Sequence, residues 1–504
     1  MNRKIRRLLA SGKRQIEQRQ QRAVRRNGAG PVLAASNIRY EMASKTKAIR
    51  DGGLGLIHRL ARKLGLPQRI DKALHLLKRH VPYFESDHVL NIAYNALCGG
   101  QTLEDIELRR NSAPFLDALG AEAIPDPTTA GDFCRRFSER DLRVLQDVLN
   151  ETRLLVWKSQ PPSFFATTAR IDADGSMVRT DGECKEGIDV SYKGEWGYHP
   201  LLVSLANTEE PLFIANRSGS RPSFEGVTPF FDEAIKLCRR AGFTKVLLRG
   251  DTDFARTEAM DRWNDDGVHF VFGYDAYANL VRTAGGDLEY VELERRAAEA
   301  LKTKPRRKQP KVREEIVVKR EFKNIKLDSE DVAEFAYKPT GCEHTYRMVV
   351  VRKNLTVLKG DVALLDDVRY FFYITNDRDM SPGDVVREAN DRCDQENLIS
   401  QLKSGVRALH APVNTLNANW AYMIMAALAW SLKAWAALSL RIDPRWRAQH
   451  EADREVLLRM DFRTFYNGLI ALPCQIVRSA RRIEYRLLAW SPWARLVFRL
   501  QDSL

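Results

Sequence analysis

Five carboxylates and two cations in this chain hold positions from which they could do chemistry. Asp172 and Asp174 sit in IDADGS, at the expected end of a hydrophobic strand, and Asp251 closes LLRGD in the same way, with Asp253 two residues on. Alternation along a strand puts Asp172 and Asp174 on one side. Far downstream, Arg392, Glu396 and Lys403 fall within REANDRCDQENLISQLK. An ideal helix turns about 100° per residue, so steps of four and seven keep these three on one face. Carboxylates from separate strand ends and a helix can converge on hard divalent cations, which prefer oxygen ligands. Two such ions about 3.5–4 Å apart activate a hydroxyl and stabilise a leaving oxygen in phosphodiester chemistry, with no serine or cysteine nucleophile. Taken singly, a strand-end Asp is more often a turn or cap residue, and Arg392 with Glu396 reads as an i, i+4 ion pair. Their conjunction carries the metal reading.

The elements that position these residues follow from composition and pattern. With 504 residues the chain exceeds one ordinary core, and roughly three structural units are expected. Lys plus Arg number 80 against 66 Asp plus Glu, a formal charge of +14 that favours a polyanionic partner, foremost nucleic acid. Seven cysteines without a CxxC pair indicate neither a disulfide framework nor a zinc knuckle and fit a reducing cytoplasm. The charged N-terminus lacks the apolar region of a signal peptide, so a cytoplasmic protein is expected. Ala421 to Leu440 is nearly apolar and long enough to span a membrane, but Lys433 lies within it and no second such stretch accompanies it. A buried core helix is expected there, and no membrane partner.

Residues 1–28 hold ten Lys or Arg and one acid, the composition of a basic helix or a disordered arm. Residues 56–160 read as helical, with Asp126 and Thr128 as candidate N-caps; the segment suits either a DNA-reading module or a cap on its neighbour. Between 165 and 275 strands and helices alternate, an α/β texture with a largely buried sheet. Asp181 to Gly197 reads as a loop. From 277 to 368 strands predominate, including EEIVVKREFKNIKL and TYRMVVVRKNL, and the basic stretch Leu301–Arg313 reads as an exposed loop usable for DNA backbone contact. RYFFYITN returns to a buried strand, and Pro382 opens the helix that carries Arg392 to Lys403. Ile476 to Leu504 alternates arginines with apolar residues and is expected to form an amphipathic helix or a tail on the core. The late tryptophans read mainly as core or interface anchors. Cys342 and His344 have no matching pair for a metal, and His199 reads as structural, with a place near the metals left open.

Together these residues resemble the DDE transposases of bacterial insertion sequences. Asp174-Gly175-Ser176 matches the first Asp motif and Asp251 the second. Arg392, Glu396 and Lys403 match the R, E and K around the family's glutamate. The GYHPLL segment (Gly197 to Leu202) and ENLISQLK look most like the insertion sequence 1380 group, and the resemblance covers roughly residues 125–440. It implies an α/β fold: a ribonuclease-H-like catalytic core in which Asp174, Asp251 and Glu396 bind two Mg²⁺, with Mn²⁺ as a substitute. Asp172 rivals Asp174 for the first position. It also implies a mainly β insertion between Asp251 and Glu396, which lie 145 positions apart. Arg392 and Lys403 would contact DNA phosphates. In place of the signature tyrosine stands Ala389, which puts a hairpin step in doubt.

The implied domains are a basic arm (1–55), a helical DNA-binding domain (56–160), the core in two parts (161–276 and 369–440), the β insertion (277–368) and a helical C-terminal region (441–504). The implied activity is binding of double-stranded DNA at terminal inverted repeats, cleavage, and transfer of 3′ ends to target DNA by a homodimer on DNA. A catalytically silent DNA-binding or architectural descendant, or a nuclease that cuts without joining, is the alternative.

Overall fold

A computed structural model of the chain describes residues 3–24, 39, 46–80, 82–182, 184–191, 193–293, 325–359, 362–479 and 482–504. The Leu301–Arg313 stretch and residues 314–324 of the expected strand lie outside them. Within the basic N-terminal segment, Arg3–Val24 forms a helix (α1). Among the helices that follow are α2 (Glu85–Leu97) and α3 (Glu139–Lys158). A capping box starts α3: Ser138 Oγ accepts from Asp141 N at 3.3 Å while Asp141 Oδ2 accepts from Ser138 N at 3.0 Å. Asp126 caps Pro127–Cys134 by accepting from Thr129 N at 2.8 Å. Thr128, the other candidate cap, lies inside that helix.

The alternating region supplies five strands: β1 (Ala169–Gly175), β2 (Leu201–Leu205), β3 (Glu210–Ala215), β4 (Val246–Gly250) and β5 (His269–Tyr274). They lie in the order β3-β2-β1-β4-β5. In the first three each strand runs antiparallel to its neighbour, whereas β1, β4 and β5 run parallel. Helices α4 (Val227–Ala241) and α5 (Thr257–Asp265) make the crossovers that parallel neighbours require. Ala169, Ile171 and Ala173 of β1 enter the main apolar core. The intervening Arg170, Asp172 and Asp174 therefore belong to the opposite face.

The later strands β6 (Val291–Glu292), β7 (Ile325–Tyr337), β8 (Tyr346–Lys359) and β9 (Val362–Thr375) join this same sheet. β9 pairs antiparallel with β5 from Phe372 opposite Tyr274 to Thr375 opposite Val271, and the full order is β6-β7-β8-β9-β5-β4-β1-β2-β3. Helices α6 (Pro382–Asp391) and α7 (Cys393–Ser400) follow, then α8 (Leu416–Leu438). Every residue of α8 from Ala418 to Leu438 is buried, so its apolar surface serves the protein interior, as expected for a core helix.

Two expectations require correction. Asp181–Gly197 is not a plain loop: Trp196–Tyr198 pairs on one side with Val178–Arg179 and on the other with Asp189–Val190, a small three-stranded sheet. Nor does one helix run through Ile476–Leu504. Cys474–Arg478 and Ile483–Leu487 form a hairpin that takes Ala48–Ile49 as a third strand, and only Ala494–Ser503 is helical (α9). Alternating arginines with apolar residues satisfy a half-buried strand as well as a helix, and the strand partner lies more than 400 positions upstream, beyond any local pattern.

One buried charge ties three layers together. Glu210 of β3 accepts from Arg153 Nε at 2.8 Å, from Trp435 Nε1 at 2.8 Å and from Trp157 Nε1 at 2.9 Å. Arg153 continues to Pro211 O at 2.8 Å and Ser431 Oγ at 3.3 Å, which links α3, the edge strand and α8. Both charges are fully enclosed. Removing one leaves the other buried and unpaired, which typically costs about 3–5 kcal/mol. Glu210→Ala is therefore expected to lower unfolding stability by about that amount in denaturant titrations. Arg447→Ala, which breaks an exposed i, i+4 pair with Glu451, is expected to leave the midpoint in place. Equal midpoints for Glu210→Ala and wild type would refute the role given to this network.

Candidate active site

Parallel pairing of β1 with β4, in the register Asp172 opposite Arg249, brings the ends of both strands to one edge of the sheet. Asp174 is the next-to-last residue of β1, and Asp251 directly follows β4. Asp251 caps the short turn Thr252–Phe254, its Oδ1 accepting from Asp253 N at 3.1 Å. That turn presses on β5, where a Cβ added to Gly273 would lie 2.9 Å from Thr252 N and 3.1 Å from Asp251 C. Only glycine lets the backbones approach this closely.

The helical element is seated over this edge by both apolar and charged contacts. Ser381 Oγ accepts from Asp384 N at 3.1 Å and Pro382 fills the first turn, so α6 begins where expected. Val385 and Val386 pack into a small core with Leu247, Val271, Val349 and Val351 from β4, β5 and β8. Ala389, in the place of the signature tyrosine, packs against this same cluster. Beside it, Glu388 accepts from Arg170 Nε at 2.9 Å and from Arg249 Nη1 at 3.1 Å. Arg249 in turn holds Asp172 in a two-pronged pair at 2.7 and 2.8 Å. Asp172 is fully buried. It shares a face with Asp174, as alternation requires, but its carboxylate is committed to Arg249.

The single ideal helix expected to carry Arg392, Glu396 and Lys403 is interrupted twice. Arg392 is the junction between α6 and α7, and Gln401–Gly405 winds as a π-helix. More residues per turn in that segment retard the phase, so the spacing of seven no longer brings Lys403 directly above Glu396. Buried Gln395 anchors the start of α7, accepting from Ser204 Oγ and donating to Leu202 O at 3.4 Å, both on β2. Glu396, the next residue, is exposed. Arg392 Nη1 stands 3.6 Å from Asp174 Oδ2.

Electrostatics ties these groups into one site. Burial pushes the Asp174 carboxyl up to about 7; Arg392 opposes the rise, and the charges of Asp251 and Glu396 add to it. Burial also raises Asp251, against Arg392, and Asp253 and Asp275 add to that rise. Burial lowers the pKa of Lys403, Arg179 lowers it further, and Glu195 and Asp174 raise it. Asp253 was read from the sequence only as the acid that follows Asp251, and Asp275 was not singled out. The signal for Asp275 was present, because HFVFGYD is a third strand closed by an acid. Among the described residues, no three His, Cys, Asp or Glu side chains are gathered into a shell that could hold a metal ion. The donor chemistry nevertheless fits a divalent cation: hard oxygens, net negative charge, and in Asp174 a half-enclosed carboxyl with one cation beside it. Cys342 and His344 are engaged elsewhere, with Thr257 O and Asp265.

A test follows from the sign of the Asp174 shift. Its folded pKa of about 7 lies above the ordinary 3.8, so the folded state binds the proton more tightly and stability falls as pH rises between those values. In chelator, Asp174→Asn is expected to melt above wild type at pH 8, with the gap closing toward pH 4. Mg²⁺ or Mn²⁺ is expected to raise the wild-type midpoint at pH 8 more than that of the variant. An identical cation shift in both proteins would remove Asp174 from the ligand set.

Comparison with known proteins agrees with the sequence motifs. The family model described as transposase DDE domain group 1 matches residues 34–504. Among solved structures, the chain is similar to a piggyBac transposase synaptic complex with hairpin DNA, determined by cryo-electron microscopy. Identity is 11%, the TM-score is 0.32 and 84% of each chain is covered, a likeness too low to bear on function. No curated protein matches the chain. Because the family match spans nearly the whole sequence, this chain belongs to the transposase DDE domain group 1 family.

Proposed function

We propose that the protein is the transposase of a bacterial insertion sequence, which binds the terminal inverted repeats, cleaves phosphodiester bonds with two metal ions and transfers the 3′ ends to target DNA. The observation that carries this reading is the meeting of Asp174 and Asp251 at one sheet edge beneath the helix of Glu396. The strand order β3-β2-β1-β4-β5, three antiparallel strands followed by two parallel ones, supports a ribonuclease-H-like core. GYHPLL and ENLISQLK support the insertion sequence 1380 group.

Asp174, Asp251 and Glu396 would hold the ions, Mg²⁺ or in its place Mn²⁺. Bound divalent cations supply positive charge at the attacking and leaving oxygens of an in-line displacement. Arg392 and Lys403 would bind the phosphates on either side of the reacting one, Arg392 through its planar fork and Lys403 as a point charge; the position of Arg392 Nη1, 3.6 Å from Asp174 Oδ2, supports this reading. Burial of Lys403 strengthens its attraction to an anion, since less water screens it. The net charge of +14 draws double-stranded DNA nonspecifically. Two element ends must be brought together for joining, which favours a homodimer on DNA, acting in the cytoplasm where bacterial DNA resides.

Asp174→Ala, Asp251→Ala and Glu396→Gln are each expected to reduce Mg²⁺-dependent cleavage of labelled end DNA below detection, while retardation of that DNA in gels persists. Wild-type cleavage by Asp251→Ala would sink the assignment. Wild-type protein that retards the DNA and never nicks it would leave a DNA-binding descendant without chemistry, and nicking without joined products would leave a nuclease.

A further inference from the structure

We infer that Gln395 is a positioning residue of the site: by bonding to two same-face rungs of the β1–β2 ladder, it fixes the turn of α7 that presents Glu396 beside Asp174. The inference rests on the transposase reading above and adds a residue to it.

The ladder sets Asp172 opposite Ser204 and Asp174 opposite Leu202. Side chains directly opposite each other lie on one face of a sheet, so Ser204 Oγ emerges on the side that carries both aspartates. Gln395 reaches both rungs. Its Oε1 accepts from Ser204 Oγ, and its Nε2 donates to Leu202 O at 3.4 Å. Gln395 and Ser204 are each 1% exposed, so water offers neither a substitute partner. Across the first of these rungs, Asp172 holds α6 by way of Arg249 and Glu388. The same two rungs thus grip both helices, one on each side of the junction at Arg392.

The turn that Gln395 anchors is the one that carries the site. Gln395 N donates to Arg392 O at 2.8 Å, which closes the backbone between them, and Arg392 Nη1 stands 3.6 Å from Asp174 Oδ2. Residues four apart are neighbours on a helix surface, so Glu396 lies on the side of Arg392 and hence of Asp174. Gln395, Leu398 and Ile399 share the opposite, buried face, the last two within the main apolar core. Only eight residues long, α7 meets an irregular join at each end, Arg392 before it and the π-helix after it. It cannot borrow its register from a longer helix. A slip by one residue would shift it by about 1.5 Å and turn it by about 100°, taking Glu396 away from Asp174. Apolar contacts are non-directional and tolerate such a slip, whereas two hydrogen bonds to fixed rungs do not.

The residue type suits the task. The anchor must accept from a hydroxyl and donate to a carbonyl, and an amide does both without carrying charge. A carboxylate in its place would face the Leu202 carbonyl with a lone pair and add a negative charge near Asp174.

Two variants separate positioning from packing. Gln395→Met keeps the length of the side chain but leaves Ser204 Oγ buried without a partner, so its melting midpoint is expected to fall. The double variant Ser204→Ala/Gln395→Met removes both partners, which is close to neutral for stability, and its midpoint is expected to return toward wild type. In chelator-treated protein without DNA, the Mg²⁺ concentration that gives half of the cation-dependent rise in midpoint is expected to increase about tenfold in both variants, the low end for groups that orient a metal ligand. The Mg²⁺ requirement for cleavage of end DNA should rise in parallel, with gel retardation of that DNA unchanged. A packing role predicts instead that the requirement recovers with the midpoint, so a wild-type Mg²⁺ requirement in the double variant overturns the inference. If the double variant does not fold, Ser204→Ala alone decides: a raised requirement supports the role and a wild-type one overturns it. Cleavage by Asp251→Ala would bring down the transposase reading itself, whereas an inert Asp251→Ala beside an unchanged Mg²⁺ requirement in the double variant rejects only the role of Gln395.

Discussion

The geometry of the candidate site depends on one enclosed positive charge, the guanidinium of Arg249. Burial works against that charge, and Asp172 and Glu388 more than offset it. The pairing leaves little freedom: Asp172 sits on the neighbouring strand and Glu388 on the overlying helix, so Arg249 fixes the spacing between sheet and helix from within. Arg170 grips Glu388 from the adjacent strand and stops the helix from rotating about a single contact. Replacing such buried ion pairs by apolar side chains often costs nothing in stability. Their value here is geometric, because a greasy interface could slide by a residue, whereas these partners match in one register only. Asp174 and Arg392 lie one step further along the same two elements and inherit that register.

The candidate site was legible in the sequence to the extent that its residues mark the ends of regular elements. IDADGS and LLRGD could be read as strand ends because hydrophobic runs stop abruptly at an acid, and the parallel pairing of β1 with β4 brings the two together. What could not be read was which of two acids in IDADGS stays available. Asp172 and Asp174 share a face and a residue type; they differ in a partner, Arg249, that is 77 positions away. The helix was misread for a related reason. Periodicity assumes constant pitch, and the break at Arg392 and the widened turn at Gln401–Gly405 arise from packing against β2 and Phe462, to which nearby residues carry no clue. A Cβ on Gly405 would lie 2.8 Å from Phe462 Cβ, which shows how closely the widened turn abuts that neighbour.

The fold was legible where segments are long and locally consistent. The lysine within the apolar Ala421–Leu440 stretch pointed to a core helix, and Lys433 is indeed enclosed, its Nζ donating to Leu458 O at 2.7 Å. The short strands around Asp189 and Trp196, and the hairpin at Cys474–Leu487, were missed. Each is only two to five residues long and owes its conformation to partners distant in sequence. Short strands have too few residues to display a period, and pairing decides their state.

The bond between β9 and β5 has a consequence for modularity. The family resemblance implies that the strand-rich stretch 277–368 is an insertion that could be excised, leaving a minimal core. Hydrogen bonding shows where such a cut would have to fall, because β9 runs across that limit: its end, Phe372 to Thr375, occupies the outer side of the interior strand β5. A cut that took all of β9 would bare the backbone of Val271 to Tyr274, in an apolar strand next to β4, and such an open edge recruits strands from other chains. Shortened versions of this protein that remain monodisperse would therefore have to retain this end of β9, so the smallest workable unit is defined by sheet edges.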